Sequence, residues 1–224
     1  MIVDVFEQNF FNTNHSLAIT HSASGYGYQP LVTGNIVPSF TISTKQGLLS
    51  FCLGTSVTRE SIISLQDFID YGQPLVVLFL GFSTRAALSI ARLELLQQQI
   101  QKEGGKLLVL TPIEQKHWKR YFKGSHSLSI FHDEDNTIAE SFGLFDEQNP
   151  LWQWVSGIES EEEVLPAVYV IAPDRRIVYH HVDFDFVLSH NSDYGALHFT
   201  PQLLEAVHYI AQPYHPEKRY KLVS

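Results

Sequence analysis

The stretch GFSTRAAL at residues 81–88 sets a serine, a threonine and an arginine between an apolar run, PLVVLFL, and the helical pattern SIARLELLQQQIQKEGG. A buried strand that turns into a helix leaves free N–H groups and the positive end of the helix dipole at the turn. Three chemistries are open to Ser83 there. It can cap the helix, the commonest task of serine at such a place. With Thr84, Arg85 and the helix amides it can hold a small anion or the acidic group of a protein partner. As a nucleophile it would need a base held by a third group, and no G-x-S-x-G elbow surrounds it.

The other reactive side chains are few. The chain has one cysteine, Cys52, so it can form no internal disulfide, no CxxC motif and no cysteine-rich zinc site. Cys52 lies in the apolar run LLSFCLG, where a free cysteine ordinarily behaves as a small buried hydrophobe. Reactivity would require exposure and a cationic neighbour. Among eleven histidines, His180-His181 stand close to Asp183 and Asp185, and His132 stands beside Asp133 and Asp135. On a strand, His181, Asp183 and Asp185 share one face, and three such ligands can hold a divalent ion. The plainer reading makes them the solvent-facing stripe of an edge hairpin, with Val182, Phe184 and Phe186 packed inward. HDEDN likewise reads as an Asp-rich turn and helix cap. No metal and no cofactor is expected.

The elements that position these residues alternate. VPSFTIST and LLSFCLG, joined by KQG, read as a hairpin. Ser64 caps LQDFIDY, which closes at Gly72. Residues 74–80 form a strand buried on both faces. The helix over 84–103 carries Leu88, Ala91, Leu95 and Leu96 near helical spacing and stops at Gly104-Gly105. KLLVLTP is a second buried strand, and IEQKHWKRYFKG a helix anchored by Ile113, Trp118 and Phe122. LSIFHDEDN gives a strand and turn, and TIAESFGL a short helix ending at Gly143. Residues 144–164, with Trp152, Trp154 and the acidic run ESEEEV, are an excursion that caps its own domain or offers an interaction surface. LPAVYVIAPDRRIVYHHVDFDF is a second hairpin, and FTPQLLEAVHYIA a final amphipathic helix with Pro201 in its first turn.

Strands alternating with helices imply an α/β fold around a largely parallel sheet, with the closing hairpin adding antiparallel pairing. Residues 1–30 read as an N-terminal extension, 31–212 as one domain and 213–224 as a tail. The charge balance is 15 Lys+Arg against 24 Asp+Glu, a net of −9. Such a balance argues against nucleic acid and anionic membranes as partners. No run nears the ~20 apolar residues of a membrane span, and the N-terminus lacks a basic n-region. A cytoplasmic location is the expectation.

Five phrases, in order, carry a family resemblance: GNIVPSFTI with Pro38 and Phe40, SLQDFI, GGKLLVLTP, HDEDNTIAESFGL and the closing hairpin. HDEDNTIAESFGL matches the pattern D-x-x-x-x-I-A-x-x-F-G-L and is the most specific. Together they resemble the alkyl hydroperoxide reductase / thiol-specific antioxidant (AhpC/TSA) family, the peroxiredoxin-like branch of the thioredoxin fold, from about residue 34 to about 211. The resemblance implies a thioredoxin-like mixed sheet flanked by helices, a cis Leu165–Pro166 bond with Pro166 beside the active turn, and a homodimer.

It also implies a turn that reads W-C-P-x-C, or holds one peroxidatic cysteine whose thiolate the helix N-terminus stabilises. Here that motif falls on Phe82, Ser83, Thr84, Arg85 and Ala86. Serine and alanine take the two cysteine positions, and a serine hydroxyl cannot pass through sulfenic acid. The chain therefore reads as a family member without its redox cysteines, a binding or regulatory protein centred on Ser83, Thr84, Arg85 and Pro166. The alternative is an atypical thiol peroxidase using Cys52.

Overall fold

A computed structural model of the chain describes residues 28–48, 62–69, 72–81, 90–117, 128–158, 160–184 and 198–212. In chain order the elements are β1 (Thr41–Ser43), β2 (Gly47–Leu48), β3 (Ile62–Ser64), α1 (Leu65–Ile69), β4 (Leu75–Phe79), α2 (Ile90–Lys102) and β5 (Lys106–Thr111). They continue with β6 (Ile130–His132), α3 (Thr137–Ser141), β7 (Ala167–Ile171), β8 (Ile177–Val182) and α4 (Thr200–Ala211). Six strands form one sheet in the order β2-β6-β5-β4-β7-β8. The central pairs β4–β5 and β5–β6 are parallel, and β2, β7 and β8 pair antiparallel with their neighbours.

The central strands are apolar throughout because both faces are covered. Every residue of β4, β5 and β7 is buried, the pattern expected where helices or loops lie on each side. Leu75, Val77 and Phe79 point into one core, with Phe68, Phe142 and Tyr169. Val76 and Leu78 point into the other, against Leu93, Leu96 and Ile100 of α2 and Leu203 and Val207 of α4. The alternation follows from the two-residue repeat of a strand.

Local signals act as the sequence implies at several places. The Ser64 amide and hydroxyl donate to Asp67 Oδ2 at 2.7 Å each, and the Asp67 amide donates back to Ser64 Oγ at 3.3 Å. That is a reciprocal cap at the start of α1. Gly104 (φ +87°) ends α2, and the Gly105 amide bonds to the Ile100 carbonyl. The buried Lys106 donates its Nζ to the Phe68 carbonyl at 3.1 Å, placing a cation at the C-terminal end of α1, where the helix dipole favours it.

Three expectations are corrected. The segments around KQG do not form a hairpin: β1 pairs with β3, and β2 pairs with β6. A short 3-10 turn at Thr44–Gln46 separates them and sends each strand to a different partner. On α2 the inward stripe is Leu93, Leu96 and Ile100, with Gln97 buried beside them, while Leu95 is 55% exposed; at about 100° per residue Leu95 lies some 200° around the helix from Leu93. The Leu165–Pro166 bond is trans, as are all described peptide bonds. Trans is the ordinary X–Pro geometry, and hydrogen bonds hold the extended chain on either side. The Leu165 amide donates to Leu144 O at 3.0 Å, and Pro166 O accepts from the Asp183 amide at 2.9 Å. Leu88, Trp118 and Phe122 lie outside the described residues.

Candidate functional site

β4 runs parallel to β5 and β6 and delivers the chain to the carboxyl end of the sheet, the end at which open α/β sheets take ligands. The Leu80 amide still bonds to the Leu110 carbonyl at 2.9 Å, so the strand register reaches to the edge of the turn. Gly81 follows, and the motif residues Phe82, Ser83, Thr84, Arg85 and Ala86 then lie outside the described residues, as do Cys52 and Asp185.

Gly81 meets a side chain that the sequence did not mark. Glu163, only 1% exposed, lays its carboxyl group over the Gly81 backbone. Its Oε1 fills the place that a Cβ on Gly81 would need, and its Cδ lies 2.8 Å from that point. The glycine permits this close approach, and a Cβ at residue 81 would oblige the Glu163 carboxyl group to move. The segment carrying Glu163 is fixed from two sides. Asn136, in the left-handed region at φ +55°, donates its Nδ2 to the Glu162 carbonyl at 3.1 Å. The Glu162 amide bonds to Ser160 Oγ at 3.2 Å. Two residues beyond Glu163, the Leu165 amide holds the chain to the end of the α3 region, and Pro166 immediately precedes β7, which pairs with β4.

The histidine–aspartate groups resolve differently. Asp133 is a cap: its Oδ1 accepts from the Ile138 amide at 2.9 Å and its Oδ2 from the Ala139 amide at 2.8 Å. Burial pushes its carboxyl above the usual range, and those two amide bonds pull it back. Asp133, His132 and Asp135 line a cavity of about 230 Å³ with Thr41 and Thr137. His181 packs its ring on Phe199, centroids 5.1 Å apart, and Asp183 is 2% exposed, so this stripe does not face solvent as expected. Val182 and Phe184 do pack inward, against the opposite core. Among the described residues no three His, Cys, Asp or Glu side chains gather as a metal site requires. No described helix is long and apolar enough to cross a membrane.

The tryptophan excursion folds back on its own domain. Leu151, Val155 and Ile158 join the core, and Trp154 meets Tyr28 edge-on at 5.8 Å. Trp152 is exposed.

The AhpC/TSA family model matches residues 33–180. The mitochondrial 2-Cys peroxiredoxin of Plasmodium falciparum is similar in structure, with TM-score 0.53 and 15% identity over 80% of this chain and 94% of that one. Mycobacterium tuberculosis AhpC gives 0.52 and 11%, covering 80% and 92%, and Plasmodium yoelii thioredoxin peroxidase I gives 0.51 and 16%, covering 79% and 91%. At such identities the likeness is one of fold, and that fold is thioredoxin-like. No curated protein matches the sequence.

Proposed function

The chain belongs to the AhpC/TSA family, and on that footing we propose that it is a member without thiol redox chemistry, a binding or regulatory protein that works from the sheet end where β4 stops. One observation carries the reading. The scaffold is kept to Gly81, with β4 fully buried and in register, while the sequence beyond it places Ser83 and Ala86 where the family resemblance implies cysteines. A hydroxyl and a methyl group cannot form the sulfenic acid or disulfide on which thiol peroxidases depend. What remains to bind is a polar turn sequence at the end of a fully buried strand.

A peroxide-consumption assay on wild type and Cys52→Ala tests this. Equal, negligible rates are expected. A rate present in the wild type and lost in Cys52→Ala would replace the proposal with an atypical peroxidase using Cys52. Light scattering on the same preparations reads whether the protein self-associates as a homodimer.

A further inference from the structure

The turn between β7 and β8 carries an arginine where a hairpin ordinarily takes glycine. The Arg175 amide closes the turn on the Ala172 carbonyl at 2.8 Å, and Arg175 sits in the left-handed region at φ +69°, where a Cβ is strained. Its side chain is clamped. Nε and Nη2 both donate to the Val37 carbonyl, at 3.2 and 2.6 Å, and the Val37 amide donates back to the Arg175 carbonyl at 2.9 Å. Of the five guanidinium N–H groups, the three others, two on Nη1 and one on Nη2, meet no acceptor among the described residues. No described carboxylate pairs with the charge either. Asp174 turns to Arg176 at 3.6 Å, and Asp67 is taken up by Ser64.

Arg175 borders a cavity of about 200 Å³ that Phe40, Leu65, Ser39 and Thr41 also line. Phe40 and Leu65 are buried and apolar, and Ser39 and Thr41 are exposed hydroxyl residues two positions apart. The cavity lies far from the turn after β4. Ile171, four residues before Arg175, pairs with Leu75 at the start of β4, about 13 Å along the strand from Phe79.

We infer that this cavity is a binding site for a small monocarboxylate with a short apolar stem, held by the end-on edge of the Arg175 guanidinium. Parallel N–H donors on Nη1 and Nη2 match the two oxygens of a carboxylate. One positive charge balances one negative charge, so a phosphate dianion is matched less well. The volume equals the share of about seven waters in the liquid, which admits an acid of a few carbons and excludes a drug-sized ligand. Phe40 and Leu65 give the stem an apolar wall. The site is independent of the turn after β4, and its failure would leave the binding reading of that turn untouched.

The test is a pair of NMR titrations of the full chain, one with sodium butyrate and one with butyramide, which has the same stem and no charge. The Thr41 and Leu65 amides and the Arg175 Nε–H are followed. Saturable shifts at these groups are expected with butyrate and none with butyramide. No response to butyrate, or an equal response to both, overturns the inference. Inorganic phosphate at the same ionic strength is expected to bind more weakly than butyrate, and binding as tight as butyrate's overturns the assignment to a carboxylate. Arg175→Gly suits the left-handed backbone and removes the guanidinium, so butyrate affinity should fall by about ten-fold or more. Undiminished affinity in that variant overturns the inference. The comparison of butyrate with butyramide needs only the wild type and decides the matter even if the variant fails to fold.

Discussion

His180 and Thr33, 147 positions apart, meet at one nitrogen: the Thr33 amide lies 3.2 Å and its hydroxyl 2.9 Å from His180 Nδ1. Both donors need a lone pair, so the contact requires Nδ1 to be unprotonated. It fastens the segment before β1 to the edge strand β8, beside the backbone bonds from Gly34 to Ile177 and from Val37 to Arg175. Burial, and then the neighbouring His181, push the His180 pKa down to about 4.

The sign of the pH dependence follows. The unfolded chain binds a proton at this histidine near pH 6.5 and the folded chain only near 4, so stability falls as pH drops between those values and levels off below. The loss amounts to at most about 3 kcal/mol. Chemical denaturation across pH 7 to 4 should show this slope in the wild type and lack one proton of it in His180→Gln. A His180 NMR titration with its midpoint at 6.5 or above would refute the assignment.

The cap at α3 gives a prediction about both stability and metals. Asp133→Ala removes acceptors from two buried amides and should cost about 2 kcal/mol; Asp133→Asn, which keeps one acceptor, should cost less. Both carboxylate oxygens are already engaged, so calcium or zinc should not raise the melting temperature. A metal-dependent rise that vanishes in Asp133→Asn would restore the metal reading of this cluster.

How far these features could be read from sequence depends on the range of the forces behind them. The buried strands β4 and β5, the Ser64–Asp67 cap and the closing β7–β8 hairpin are written locally, in apolar runs, cap pairs and turn residues. Strand partners are not local. VPSFTIST specifies a strand, but only packing decides that β1 pairs with β3 rather than β2. Glu163 was concealed by its company, for of the three glutamates of ESEEEV among the described residues only one is buried, and a charge run ordinarily reads as a solvated face. The sole advance sign was Gly81, a glycine at the end of a buried strand, which marks close approach of another group.

Tyr169 offers a test in the opposite direction, towards greater stability. Its ring is fully buried between Phe79 and Phe142, and among the described residues its hydroxyl has no hydrogen-bond partner. Burial alone raises its pKa. A buried hydroxyl left unpaired costs about 1–3 kcal/mol, and phenylalanine keeps the ring contacts without it. Tyr169→Phe should therefore stabilise the protein by about 1 kcal/mol, read as a higher urea midpoint at unchanged slope. A lower midpoint would show that the hydroxyl has a partner after all.

Gly143 should prove among the least replaceable residues outside the site, for two separate reasons. It ends α3 in the left-handed region at φ +71°, where any Cβ is strained by about 1 kcal/mol. A Cβ there would also fall on the backbone of Gln29, 2.5 Å from its carbonyl carbon, and backbone cannot swing aside as a side-chain tip can. The adjacent bond from the Leu31 amide to the Phe142 carbonyl, 3.0 Å, holds that segment in place. Gly143→Ala must therefore break the attachment of residues 29–31 or distort the end of α3, at a cost of about 3 kcal/mol or more in all. Gly72 separates the two causes. It has nearly the same φ, +70°, but open space where its Cβ would go, so Gly72→Ala should cost only the backbone strain. Equal losses in the two variants, measured by urea denaturation, would show that the Gln29 contact contributes nothing.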